Sequence, residues 1–151
     1  IVTLEPTYKF ILLEDVTDWN GGIIIEDGAY LSSDASLTHR AEMISRPSAA
    51  IAGGEGLFNL GLYGNGLVAL ESSVPREELI VADLYDDVIK IDGPLAIAWS
   101  PTLQFTVERT TKSLIGSAAS GEGLVNVYRG TGRIMFAPVA TGHVSSASTG
   151  A

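Results

Sequence analysis

The sequence predicts an all-β protein, a duplicated antiparallel β-sandwich or barrel resembling a double-stranded β-helix, with two pseudo-repeats and little helix. Three observations carry this. No 12-residue window shows an apolar stripe at helical spacing, while short β-branched runs bounded by Gly, Asp, Asn or Pro recur throughout. The turn signals "EDG", "YGNG", "IDG" and "GTG" place residues that tolerate positive φ where tight hairpins need them. Finally, "GGEGLFNLGLYGNG" (Gly53 to Gly66) returns in altered form as "SGEGLVNVYRGTG" (Ser120 to Gly132).

Taken in order, the predicted strands are Tyr8 to Leu13, Gly22 to Glu26, Ser36 to Met43, Gly56 to Leu62, Leu67 to Glu71 and Glu78 to Asp83 in the first part of the chain. Asp87 to Ile91, Leu95 to Ser100, Leu103 to Glu108, Leu124 to Tyr128 and Arg133 to Ala137 follow. "LQFTVER" sets Leu103, Phe105 and Val107 against Gln104, Thr106 and Glu108, the period of a strand with one buried face. "PREEL" (Pro75 to Leu79) has the makings of a single helical turn.

Gly54 to Leu60 and Gly121 to Val127 are identical at five of seven positions. The pattern continues with Gly64 and Gly66 answering Gly130 and Gly132, Leu37 answering Leu103, and Glu42 answering Glu108. Modules of about 65 residues are marginal on their own because they bury a small share of their surface, and fused copies sharing one core are a common solution. The expectation is one domain over residues 1–151, with repeats at about 22–71 and 87–140 and a flexible Ser/Thr/Gly/Ala tail at 141–151.

A chain of 151 residues that is 46% apolar and 18% charged is built to bury a core, and its apolar runs are too short for a membrane-spanning helix. Without cysteine there is no disulfide, no thiolate chemistry and no Cys-based zinc site. Eighteen acidic against nine basic residues give a net charge of −9, and the basic residues are spread along the sequence, so no nucleic-acid partner is expected. Folding has one way to alter that, by clustering Arg109, Lys112, Arg129 and Arg133. The opening "IVTLEP" has no signal-peptide character, and the expectation is that the sequence begins inside a longer polypeptide whose preceding segment offers a membrane or protein contact. The default location is cytoplasmic.

The "GEGL" blocks ahead of a strand, the second near the C-terminus, and the intervening "LIVADLYDDVIKIDGPLAIAWSPTLQFTVE" resemble the Altered Inheritance of Mitochondria (mitochondrial biogenesis) family over about Gly22 to Ala140. That resemblance implies a duplicated β fold similar to the subunits of the trp RNA-binding attenuation protein, and it implies no established catalytic residues.

The chemical constellations are sparse. With only His39 and His143, a cupin-like metal site lacks ligands. "SSDASLTH" holds Ser, Asp and His in one short stretch, but strand alternation separates such side chains, and a polar hairpin is the simpler reading. Asp86-Asp87 and Glu77-Glu78 read as solvated charge that discourages edge pairing. "GLYGNG" is followed by neither helix nor Lys, so it is a turn rather than a phosphate loop. No catalytic residue, metal site or cofactor is expected.

Two functions remain. The first is a non-enzymatic scaffold that forms a homo-oligomer through sheet edges and apolar faces. The second is a small-molecule or carbohydrate-binding domain with a pocket between the repeats, for which Glu55, Asn59, Glu122 and Asn126 stand at equivalent positions of the two copies.

Overall fold

The structure is a computed structural model and describes residues 3, 8–26, 28–43, 58–92, 95–109 and 124–138. The first copy contributes β1 (Phe10–Asp15), β2 (Ile23–Ile25), β3 (Tyr30–Ser33), β4 (Thr38–Met43), β5 (Phe58–Tyr63) and β6 (Leu67–Ser72). The second contributes β7 (Ile80–Asp92), β8 (Ala96–Trp99), β9 (Leu103–Arg109) and β10 (Leu124–Phe136). There is no α-helix among the described residues, and short 3₁₀ turns occupy Val16–Trp19 and Arg76–Glu78.

All strand pairs are antiparallel and fall into two open sheets. The smaller has the order β1-β6-β3, and the larger the order β4-β5-β2-β8-β10-β7 with β9 also on β10. The architecture is thus a sandwich, and the sheets do not close into a barrel. One core lies between the sheets, with Leu12, Val68 and Leu70 facing Ile23, Ile25, Leu62 and Met135. A second gathers Ile24, Leu84, Ile91, Trp99, Leu103, Tyr128 and Ile134. Trp99, Phe105 and Tyr128 pack there as a ring cluster with centroids 5.0–5.4 Å apart.

The two copies repeat each other's hydrogen bonds at one fixed spacing along the chain. Leu37 N donates to Asp34 O (3.1 Å) and Leu103 N to Ser100 O (3.0 Å). Asp34 N donates to Leu67 O (2.9 Å) and Ser100 N to Arg133 O (2.8 Å), while Glu71 N to Ala29 O (2.7 Å) matches Ala137 N to Leu95 O (2.9 Å). The β4–β5 register pairs Thr38 with Tyr63, and the β9–β10 register pairs Gln104 with Arg129. Gly64 and Gly130 both adopt positive φ, 116° and 127°, at the same bend. Gly66 and Gly132 are crowded by equivalent groups, since a Cβ would meet Ser36 Oγ at 3.0 Å in one and Thr102 Oγ1 at 2.6 Å in the other.

At that bend the copies differ. In the first, the chain leaves β5 and crosses to the other sheet as β6, whereas in the second the strand continues as the 13-residue β10. The same contrast separates β1 from β2 by a 3₁₀ turn but leaves β7 continuous through Asp86, whose φ is 51°. The sequence reading therefore divided β7 and β10 in two, because their turn-forming residues are bends inside strands. It also passed over β3, a short strand of alternating exposure in which only Leu31 is a large aliphatic residue.

Candidate functional site

Where β2 ends, β3 starts and β4 and β5 meet, the first copy leaves a groove of about 570 Å³ open to solvent. Strand alternation puts His39 and Ala41 of β4 and Phe58 and Leu60 of β5 on the same inner face as the buried Leu62. Ile25 and Leu60 form an apolar floor, with Tyr30 at the opposing wall. Among the described residues the small sheet ends at β3 and leaves this part of the inner face uncovered: Phe58 is 52% and Met43 77% exposed.

A chain of polar groups runs along one side. Tyr30 Oη and Ser33 Oγ share a hydrogen bond of 3.1 Å, and Ser33 Oγ and His39 Nε2 share another of 3.0 Å. The Tyr30 and His39 rings meet edge to face at 6.1 Å. Each member of this chain is able both to donate and to accept. The polar hairpin expected from "SSDASLTH" does not form, because β3 pairs with β6 in the small sheet and β4 with β5 in the large one. The turn between them instead carries the chain from one sheet to the other and brings Ser33 and His39 together. Asp34 is not the third member of a triad, because its Oδ2 accepts the amide of Leu67 at 2.9 Å and fixes the turn.

On the reverse face of β4 and β5, the Arg40 guanidinium lies 4.7 Å over the Tyr63 ring, and Tyr63 Oη donates to Glu42 Oε1. Burial, followed by the Glu42 carboxylate, pushes the Tyr63 phenol up to about 12, with Arg40 opposing.

Of the residues singled out in the sequence, Glu55 and Glu122 lie outside the described residues. Asn59 is buried in the groove's β5 wall, and its Oδ1 has no hydrogen-bond partner among the described residues. It sits opposite Glu42, so alternation directs its side chain to the reverse face. Asn126 is half-buried on β10 opposite Ile91 and Val107, and β2 and β8 stand between β5 and β10. The junction between the copies is a strand pair, with Ile24 opposite Trp99, and Glu26 N donates to Ile97 O at 3.0 Å. This groove therefore belongs to the first copy, not to the space between copies. Among the described residues no three His, Asp or Glu side chains converge as a metal site.

Among the described residues the basic side chains do not form a free cluster. Lys90 and Arg129 both reach Glu108, at 2.8 and 3.8 Å, and Arg133 reaches Asp83 at 2.8 Å. The hydrogen bond from Lys90 holds the Glu108 carboxyl below its ordinary range, and that from Arg133 does the same for Asp83. The side chain of Arg109, and all of Lys112, lie outside what is described.

The other notable surface is β1. Phe10 is 49%, Ile11 64% and Leu13 67% exposed, and among the described residues the outer edge of this strand pairs with nothing. Of its acids, Glu14 is buried, accepting from Trp19 Nε1 and forming an ion pair with Arg76, while Asp15 shares the exposed face of Ile11 and Leu13 and accepts from Thr17 N.

An uncharacterized protein of Streptococcus pyogenes serotype M6 is 30% identical over 110 residues, which is 73% of this chain and 43% of that protein. The crystal structure of another S. pyogenes protein, SPYM3_0169, superposes with a TM-score of 0.64 at 25% identity, covering 86% of this chain and 54% of that one. The chain thus spans about half the length of the relatives it matches. The model of the family described as mitochondrial biogenesis AIM24 matches residues 2–139, and the chain belongs to that family.

Proposed function

We propose that this chain is a non-enzymatic β protein that self-assembles, with β1 as the joining edge. The observation that carries the reading is a set of exposed apolar side chains on a strand whose outer edge is unpaired among the described residues: Ile11 and Leu13 on one face, continued across the sheet by Leu67 at 47% exposure, and Phe10 on the other. An apolar edge of this kind is a template for another strand unless something guards it.

Among the described residues the remaining edges are guarded. β7 carries Asp83, Asp86, Asp87 and Lys90 and is kinked at Asp86, β4 carries His39, Arg40 and Glu42, β9 carries Glu108 with its ion pairs to Lys90 and Arg129, and β3 is only four residues long. β1 alone presents no outward charge between Phe10 and Leu13. Two copies meeting through β1 would do so about a twofold axis, the same strand serving both sides. With Lys90, Arg129 and Arg133 engaged by acids, the surface offers a phosphate backbone little, which supports a reading without nucleic acid.

The test is mass by light scattering across a hundredfold range of concentration, for the native chain and for Leu13→Lys. The native chain is expected to run as a defined multimer and the variant as a monomer, with the near-ultraviolet dichroism of Trp19 and Trp99 preserved. A native chain that stays monomeric throughout overturns the reading, as does a Leu13→Lys multimer.

A further inference from the structure

The duplication supplies an internal control for the groove. By the spacing that relates the two sets of hydrogen bonds, Tyr30, Ser33 and His39 of the first copy correspond to Ala96, Trp99 and Phe105 of the second. In the second copy these positions close the core, Ala96 and Trp99 being 3% and 1% exposed, with Phe105 packed on Trp99 at 5.4 Å. Packing in this fold is thus met there by apolar groups. The first copy instead places a hydroxyl, a second hydroxyl and an imidazole on its inner face, hydrogen-bonded in series beside an open groove. Polar groups on an inner sheet face contribute less to folding than the apolar ones they replace. Their arrangement answers to something other than the core.

We propose that this groove binds a neutral sugar. The floor of Ile25 and Leu60 and the exposed ring of Phe58 offer an apolar face to the C–H side of a pyranose. The Tyr30–Ser33–His39 chain offers three adjacent groups that both donate and accept, matching a row of vicinal hydroxyls, which do the same. The formal charges of the wall, Glu26 and Arg40, are one of each sign, and Arg40 is turned to the Tyr63 ring, so neither an anion nor a cation is favoured. A groove of about 570 Å³ lies within the ordinary range of small-ligand sites and is open enough for more than one sugar ring.

The experiment is an NMR titration of the isotope-labelled chain with maltotriose, cellotriose and chitotriose, with adenosine as a flat heteroaromatic comparator. Saturable shifts are expected at Tyr30, His39 and Phe58 with at least one trisaccharide. Phe58→Ala is expected to weaken binding about tenfold, through loss of a stacking ring. His39→Phe, which writes the second copy's residue into the first, is expected to abolish the shifts while the near-ultraviolet dichroism of Trp19 and Trp99 stays native. Because Phe58 is half exposed, its truncation tests the site even if His39→Phe disturbs the fold. The proposal is overturned by the absence of saturable shifts with all three sugars, by shifts centred on the second copy, by adenosine binding where the sugars do not, or by binding that survives both substitutions. None of these outcomes depends on whether the chain is a multimer.

Discussion

At the scale of single residues, Tyr63 shows how a side chain outside the core is held by several unlike interactions. Its ring lies beside Arg40, its hydroxyl donates to Glu42, and a Cβ on Gly22 would approach its Cδ1 to 2.5 Å, so residue 22 must be glycine or the ring must move. The raised phenol value means that the folded state favours the protonated form. Its contribution to stability is complete below the ordinary value of 10.0 and is lost as pH rises through about 12. Because burial is the leading cause and Glu42 the next, Glu42→Gln is expected to lower the Tyr63 titration only part of the way back. Phenolate absorbance against pH checks this, and a Tyr63 that titrates with the exposed tyrosines in the native chain contradicts it. None of this was legible in the sequence, since Tyr63 and Glu42 are brought together only by the β4–β5 register. Their spacing along the chain has no local meaning.

At the scale of elements, the paired glycines decide where each module turns. Gly130 carries the positive φ, and Gly132 carries the close approach, with Ser100 Cβ 2.9 Å and Thr102 Oγ1 2.6 Å from the position of an added Cβ. Gly132→Ala is expected to destabilise by about 1–3 kcal/mol, as overpacking usually does. Gly66→Ala, with nearest distances of 3.0–3.1 Å to Ser36 and Asp34 side chains, is expected to cost less. Urea unfolding of the two variants side by side gives the order, and the reverse order would mean that β10 absorbs the strain by bending. The sequence showed these glycines to be equivalent, but not that one pair marks a crossing between sheets and the other a bend within one strand. That choice depends on what lies beside the chain. β6 has β1 and β3 to pair with in the small sheet, whereas the second half of β10 pairs with β7 and β8 in the large one.

At the scale of the whole molecule, β8 ties the copies together. Ile97 and Ala98 face the first core and Trp99 the second, while Met135 and Ile134 of β10 are divided in the same way. Neither core is complete without strands that belong to the other. Trp99→Ala is expected to cost about 3–5 kcal/mol and to lower the stability of both modules together. Coincident loss of amide protection in Val68, Leu70, Val127 and Tyr128 would show this, and a first copy left protected while the second exchanges would refute it. The sequence by itself determined the all-β class, most of the strands and the duplication, because alternation, β-branched runs and turn glycines act over a few residues and the repeat is written twice in order. Tertiary structure alone decided which strands join which sheet, that the groove lies within the first copy, and that, among the described residues, β1 is left with an unpaired apolar edge. Those outcomes rest on pairing between residues far apart in the chain, where the energy depends on which faces and edges are already covered, and no local pattern records that.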